Sequence, residues 1–163
     1  MISFALLGCA PRVSRLQGDF LSENKTEPSI SGDGQKLAFI VNQNGRSTVQ
    51  LRDLSNNDFL PLRHFSRDQP HSSPALSWTA RYLAVIAQTG SRYIIIIEDR
   101  QSGNNFRIPI PGDRLPTRLT LAPDATKLAI QVTQQGKWHI ELFDLTNFLE
   151  PDRPLGINNP SYY

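Results

Sequence analysis

Three cationic residues recur at a fixed spacing and are the residues of this chain best suited to bind a charged group. Arg46, Arg92 and Lys137 follow one another at intervals of 46 and 45 residues. Guanidinium and ammonium groups bind carboxylates and phosphates through charge-assisted hydrogen bonds. If the fold brings the three together, they form a basic arc suited to a carboxylate, a phosphate or an acidic protein surface. The alternative is that they charge exposed hairpin tips, which promotes solubility and protects sheet edges.

The other reactive side chains form no recognisable catalytic or metal-binding pattern. The histidines share no register and no His-x-x-x-His or His-Glu-x-x-His spacing: His64, His71 and His139. Asp68, His71, Ser72 and Ser73 lie close in sequence, but the chain has no Gly-x-Ser-x-Gly elbow. We interpret this segment as a loop between repeats. The sequence therefore predicts a protein that is not an enzyme and that uses no cofactor and no metal ion.

The basic residues belong to a longer repeat that fixes the fold class. A Leu-Ala-(Phe/Val/Ile) triplet begins at Leu37, Leu83 and Leu128, and each block closes with an aspartate: Asp53, Asp99 and Asp144. A period in the mid-forties is typical of propellers, in which each repeat is one small antiparallel sheet. We predict an all-β chain of three propeller-type four-stranded antiparallel blades, a partial or open β-propeller. The blades cover about residues 28–63, 74–111 and 118–157.

Several local patterns support this assignment. The run Ile94–Ile97 does not alternate, so both faces of that strand should be buried, as between stacked blades. Pro61 and Pro109 lie in the fourth strands, which should therefore form the outer edges. Tyr93 and Trp138 share a register next to the basic residues. We expect both to pack between blades, and the alternative is a binding platform.

Composition narrows the class of partner. The 163 residues suggest one domain, and a net charge of +2 without a Lys/Arg block argues against a nucleic-acid partner. No stretch approaches the ~18 apolar residues of a membrane-spanning helix. We therefore expect protein partners, with membrane contact only through a lipid anchor.

The repeat phrases resemble those of the TolB-type propeller family. Residues 28–39 and 121–129 resemble its Pro-x-x-Ser-Pro-Asp-Gly-x-x-Leu-Ala-Phe pattern, and the likeness covers about residues 28–150. Gly32 and Ala125 depart from the motif, and block two has Trp78 to Ala80 in its place. The resemblance implies a propeller that binds proteins in the bacterial envelope, related to Tol-type biopolymer transport.

The amino-terminal residues resemble a lipoprotein signal. Leu6 to Cys9 resemble the lipobox of bacterial lipoproteins, which implies a signal remnant over residues 1–8, lipid attachment at Cys9 and a linker over 9–27. The implied location is the periplasm or a membrane anchorage in the envelope. The alternative is a short apolar strand with a buried free cysteine.

Three blades leave the assembly and the function open. Closed propellers usually have four to eight blades, so two copies could complete a six-bladed ring as a homodimer. The alternative is an open wedge that its termini cap or another protein completes. We predict a protein-binding scaffold, with three alternatives: an anionic small molecule or sugar bound at the basic end face, a minor enzymatic role there, or a truncated, degenerate propeller.

Overall fold

The computed structural model describes residues 24–154, in which all regular secondary structure is β-strand. The described part contains eleven strands: β1 Lys25–Ile30, β2 Lys36–Gln43, β3 Arg46–Asp53, β4 Phe59–Leu60, β5 His71–Leu76, β6 Tyr82–Thr89, β7 Arg92–Asp99, β8 Asn105–Pro109, β9 Leu115–Leu121, β10 Lys127–Gln134 and β11 Lys137–Asp144. None of the described segments is a helix long and apolar enough to cross a membrane.

The strands form three antiparallel sheets, which we call blades 1, 2 and 3. Their orders are β1-β2-β3-β4, β5-β6-β7-β8 and β11-β10-β9, so each strand pairs with its neighbour in sequence. The predicted all-β, blade-type architecture is confirmed. Blade 3 differs from the prediction because it has three strands in the described part. Pro154 is not in a strand, and the rest of the predicted outer strand lies outside the described residues.

The central hairpin of each blade is a two-residue turn. The last residue of the second strand pairs with the first residue of the third: Gln43 with Arg46, Thr89 with Arg92 and Gln134 with Lys137. The turns carry positive φ at Asn44, Gly45, Gly90, Gln135 and Gly136. Tight hairpins require this backbone conformation, which matches the twist of the strands. The turn chemistry therefore fixes the register.

The blades pack face to face and enclose two hydrophobic cores. One core lies between blades 1 and 2 and contains Ile40 and Val85, and the other lies between blades 2 and 3. Ile95 and Ile97 belong to the second core, whereas Ile96 is fully buried on the opposite face of β7. The prediction that both faces of this strand are buried is confirmed.

Side-chain hydrogen bonds join the first strands of successive blades. The Oγ atom of Ser73 in β5 accepts a hydrogen bond from the Leu119 N–H of β9 at 2.8 Å. The Ser73 N–H donates to the Glu27 carboxylate of β1. The prediction that residues 71–73 form a loop is wrong, because His71 and Ser72 pair with Ala87 and Ile86 of β6 and so extend β5 back to His71. The loop between blades 1 and 2 ends at Pro70.

Candidate functional site

The three basic residues occupy equivalent places in the blades. Arg46, Arg92 and Lys137 are each the exposed first residue of the third strand, directly after the hairpin turn. Arg46 forms an exposed ion pair with Asp68 at 2.9 Å, an interaction of small net energy in water. The shared position is what the repeat predicted. That the three act together as a binding arc stays a prediction.

The outer face of blade 3 carries a stripe of exposed apolar side chains. Trp138, Ile140 and Leu142 alternate along β11 and are 62%, 64% and 75% exposed. Alternate residues of a strand point to the same face of the sheet, so the three lie side by side. The expectation that Trp138 packs between blades is wrong, because this face of blade 3 is uncovered. Tyr93, its equivalent in blade 2, is half-buried against the core, as expected.

The repeat shows what normally covers this face. Val49 and Leu51 hold the equivalent positions of Ile140 and Leu142 in blade 1, and they are buried in the core shared with blade 2. Ile95 and Ile97 hold them in blade 2 and are buried against blade 3. Both described junctions therefore bury the equivalents of the two residues that blade 3 leaves exposed. We call the stripe of Trp138, Ile140 and Leu142 the open face.

The opposite end of the blade stack is different. Phe39 and Val41 alternate with Ala38 and Ile40 on β2, so they point away from blade 2. Even so, Phe39 is only 2% exposed and Val41 is fully buried. These two positions on the outer side of blade 1 are thus already buried, whereas the stripe on blade 3 is exposed, so the two ends of the stack are not equivalent.

A slot opens in blade 1 where its outer strand is short. Strand β4 pairs with Leu51 and Arg52 only, whereas β8 pairs with five residues of β7. Pro61 follows β4 directly, and proline lacks the N–H that would continue the ladder. The prediction that Pro61 lies within the fourth strand is therefore wrong, since β4 ends at Leu60. A cavity of about 600 Å³ lies beside β3 at this place.

His71 lines the slot and substitutes for part of the missing strand. Its Nδ1 atom accepts a hydrogen bond from the Val49 N–H at 3.3 Å. The equivalent residue of blade 2, Ile95, pairs with Ile108 of the outer strand. The imidazole packs edge-on against Phe65, with ring centroids 5.4 Å apart. Burial lowers the pKa of His71 to about 4, so the ring is neutral near pH 7. Because Nδ1 accepts the hydrogen bond from Val49, the proton of the neutral ring is on Nε2.

The residues considered for a catalytic triad contact different partners. His71 bonds to Val49, Asp68 pairs with Arg46, and the Ser73 hydroxyl bonds to the Leu119 backbone. Within residues 24–154, no group of three or more His, Cys, Asp or Glu side chains could hold a metal ion. The histidine, serine and aspartate that lie close in sequence therefore each have a different structural partner in the fold. Cys9, the predicted lipid-attachment residue, lies outside the described residues.

Two buried carboxylates that the sequence did not single out also have structural partners. Glu98 is almost fully buried and accepts hydrogen bonds from the backbone N–H groups of Arg63 and His64, at 3.0 and 2.8 Å. Asp152 accepts hydrogen bonds from the Ser77 hydroxyl at 2.6 Å and from the Thr79 N–H at 2.8 Å. Both carboxylates join segments that are far apart in sequence, which no local pattern reveals.

Comparison with solved structures shows β-propellers. The chain is similar to TolB from Acinetobacter baumannii, with 20% identity over 79% of this chain and 32% of TolB and a TM-score of 0.57. It is also similar to a prolyl endopeptidase, with 16% identity, coverage of 78% and 20%, and a TM-score of 0.59. A third similar structure is the β-propeller domain of Swd1 from Myceliophteria thermophila, with 19% identity, coverage of 74% and 39%, and a TM-score of 0.51.

These likenesses define the fold. No protein-family model and no curated protein sequence matches the chain. The chain spans about a third of the TolB chain and a fifth of the endopeptidase chain. The three blades therefore have a TolB-like, partial β-propeller fold, as the repeat phrases implied.

Proposed function

We propose that this protein is a non-enzymatic scaffold that binds a protein partner through the open face of blade 3. One observation supports the proposal above the others. Ile140 and Leu142 are largely exposed at positions whose equivalents are buried at both described blade junctions. Contiguous apolar side chains on a protein surface are typical of interaction sites. Trp138 adds an aromatic side chain, the residue type most enriched among the energetically dominant contacts of interfaces.

The junctions inside the protein define the chemistry of this partner. Blade 2 covers blade 1 with Leu83 and Val85, and blade 3 covers blade 2 with a similar aliphatic row, Leu128, Ile130 and Val132. A partner for the open face would therefore present aliphatic side chains on a flat surface such as a sheet. Each large apolar side chain that becomes fully buried contributes about 1.5–3 kcal/mol. Burial of the three residues of the open face would thus favour the contact.

We favour a different protein over a second copy of this chain. A six-bladed ring of two copies would place the open face of one copy against the outer side of blade 1 of the other. Phe39 and Val41 on that side are already buried, so ring closure would first have to uncover them. A homodimer remains an outcome that the experiment below detects.

The experiment compares substitutions on and off the open face. The double variant I140E/L142E introduces two charges at exposed positions, whereas Ile30→Glu changes an exposed isoleucine of β1 in the same way. We expect the double variant to fold normally and to lose the partner that copurifies with the wild type after chemical cross-linking. Ile30→Glu should retain it. Light scattering on the purified protein identifies a homodimer, and copurification unchanged by I140E/L142E would contradict the proposal.

We also propose that the protein works in the bacterial envelope. The proposal is supported by the lipobox-like sequence that ends at Cys9 and by the likeness of the repeats to the TolB-type pattern. A lipid-modified species that begins at Cys9, detected by mass spectrometry of the protein from its native membrane, would support this location. An unmodified Cys9 would contradict the anchor and leave the protein-binding proposal intact.

A further inference from the structure

Strand β11 has a neighbour on one side only among residues 24–154. It pairs with β10, whereas its equivalents β3 and β7 each have a second neighbour, β4 and β8. The described chain that follows β11 does not return along it. Instead, the Asp152 N–H donates to the carbonyl of Asp124, in the turn between β9 and β10, at 3.0 Å. No described residue therefore takes the place of a fourth strand in blade 3.

The backbone groups on the outer side of β11 belong to the residues of the open face. Lys137 closes the two-residue turn, so Lys137 and every second residue after it bond to β10. The N–H and C=O groups of the three open-face residues therefore point away from β10. Blade 2 shows the same arrangement, since the carbonyl of Tyr93, the equivalent of Trp138, accepts from the Ile110 N–H at 3.0 Å. We call these outward-pointing groups the free edge.

The free edge lacks the protection that every other described sheet edge has. Short strands and prolines prevent an edge from pairing with another chain. Each of the other five edge strands contains a proline or is followed directly by one: Pro28, Pro61, Pro74, Pro109 and Pro116. Strand β11 has eight residues and contains none. A long edge of this kind is a template for an added strand.

An apolar groove lies beside the free edge, between blade 2 and the end of β11. It has a volume of about 340 Å³, and all but two of its lining residues are apolar. Phe106 and Ile108 of β8 and Phe143 of β11 line it and are only partly buried. Phe148, which also lines it, is 65% exposed. Since the outer strands of stacked blades lie side by side, a strand added to β11 would lie over β8 and direct every second side chain to the groove.

A second copy of this chain matches the groove poorly. The side chains of β11 that face blade 2 alternate with the open face, and three of the four are polar: Lys137, His139, Glu141 and Phe143. Opposite residues of an antiparallel pair lie on the same face of the sheet. A second β11 at the free edge would therefore direct polar side chains to an apolar groove. It would also leave both open faces uncovered.

We propose that the partner of the open face also adds an extended segment to the free edge. The segment forms the fourth strand of blade 3, antiparallel to β11, and its apolar side chains at alternate positions fill the groove. This inference rests on the proposed function and specifies the partner as a β-protein that presents a strand as well as an aliphatic sheet. The two contacts are continuous, because the open-face residues supply side chains to one and backbone groups to the other. Within the chain, residues 110–114 suffice to join the outer strand of blade 2 to the first strand of blade 3.

NMR titration of the full-length protein with a synthetic heptapeptide tests the strand contact. The peptide acetyl-Lys-Thr-Phe-Thr-Ile-Thr-Lys-amide places Phe and Ile on one side and Thr on the other. We expect it to shift the amide resonances of β11 at millimolar concentration and to slow the hydrogen exchange of the three free-edge amides. Without peptide, these amides should exchange faster than those of His139 and Glu141. Their protection in the protein alone would overturn the proposal, because another strand would already occupy the free edge.

Matched peptides test the geometry of pairing without changing the protein. The rearranged peptide acetyl-Lys-Thr-Thr-Phe-Ile-Thr-Lys-amide places Phe and Ile on opposite sides. In the paired peptide, the N–H of the central Thr points to β11 and that of the Ile points away. N-methylation of the central Thr should weaken binding at least about tenfold, and N-methylation of the Ile less than about threefold. Equal affinities within either pair of peptides, or no binding of the alternating peptide, would overturn the proposal.

Variants of the protein test the same contact from the other side. Ile140→Pro removes one outward N–H, a change that edge strands tolerate, whereas Ile140→Ala keeps it. Phe148→Asp places a charge in the groove, and Ile30→Glu is the control on β1. Ile140→Pro and Phe148→Asp should bind the peptide at least about tenfold more weakly, and the other two should bind nearly as the wild type does. Wild-type affinity in folded Ile140→Pro would overturn the proposal. If that variant does not fold, the methylated peptides decide.

The cross-linking experiment distinguishes a failure of this inference from a failure of the proposed function. A partner that is lost from I140E/L142E but retained by Ile140→Pro would overturn the strand contact and leave the open face as the binding surface. Loss from both variants, with retention by Ile140→Ala, would support the strand contact alongside the peptide result. Retention by I140E/L142E would overturn both proposals.

Discussion

Gly32 lies so close to Trp78 that a Cβ atom on the glycine would stand 2.7 Å from Cε3 of the indole. The two residues occupy equivalent turns of blades 1 and 2. The Asp33 N–H donates to the Trp78 carbonyl at 3.0 Å, and the Trp78 N–H donates to the Pro123 carbonyl in the same turn of blade 3. Gly32 and Trp78 both depart from the repeat motif, and the contact shows that the departures compensate each other.

The first prediction concerns this contact. Gly32→Ala should lower the free energy of unfolding by about 1–3 kcal/mol, because the ring of Trp78 must shift within a packed junction. Urea denaturation measures the change. Gly112→Ala is the control, since a Cβ there meets nothing within 4 Å. Trp78→Leu in the Gly32→Ala background should recover part of the loss, and equal losses in the single and double variants would contradict the assigned contact.

A second prediction concerns the carboxylate of Asp152, which joins the end of the described chain to the turn of blade 2. Asp152→Ala leaves the Ser77 hydroxyl and the Thr79 N–H without this acceptor. The loss of a buried, charged acceptor should destabilise the protein by about 2–4 kcal/mol. The neighbouring Glu150→Gln removes only an ion pair to Arg81 whose carboxylate is exposed, so it should cost less than about 1 kcal/mol. Similar losses in both variants would exclude a special role for Asp152.

The third prediction is a pH dependence of stability between pH 7 and pH 5. His71 has a pKa of about 4 in the folded protein, against 6.5 for the free side chain, because burial disfavours the charged ring. The unfolded chain therefore binds a proton in this window that the folded protein does not bind. Stability should fall by about 2 kcal/mol from pH 7 to pH 5 on account of this residue.

His71→Asn isolates that effect. All other side chains are the same in both proteins, so the difference between the two pH profiles reports His71 alone. The loss of stability on acidification should be about 2 kcal/mol smaller in the variant. Parallel profiles over pH 5–7 would show that His71 is not buried in its neutral form.

A fourth prediction compares the same residue position in two blades. Ile95→Ala should cost about 2–5 kcal/mol, since this side chain is buried between blades 2 and 3. Ile140→Ala, at the equivalent exposed position, should change the free energy of unfolding by less than about 1 kcal/mol. Thermal unfolding of the purified protein measures both. A large loss for Ile140→Ala would mean that the open face is covered in the protein alone.

The sequence predicts the blades because their determinants are local. The hairpin that contains Asn44 and Gly45 needs only its own residues to define a turn and a register. Asp33 and Asp124 bond to backbone N–H groups two residues on, as the turn-forming aspartates of the motif should. Burial of the isoleucine run of β7 follows from its lack of alternation.

The residues of the candidate sites are harder to predict because they depend on distant contacts. Trp138 has the same local pattern as Tyr93, and only the absence of a covering sheet among the described residues distinguishes them. The slot depends on where Pro61 ends β4 and on the hydrogen bond from Val49 to His71, 22 residues away. Asp152 and Ser77 are 75 residues apart. A repeat pattern reveals only what its copies share, whereas these features occur at positions where the blades differ from one another.

Site-specific photocross-linking in the native cells tests the protein-binding role most directly. A photoreactive amino acid replaces Trp138 on the open face, and a second protein carries it at Ile30 as a control. The proposed function predicts a discrete adduct of this chain with another protein from position 138 and none from position 30. If position 138 gives no adduct, or reacts only within its own chain, the open face is not a binding surface and the proposed function is wrong.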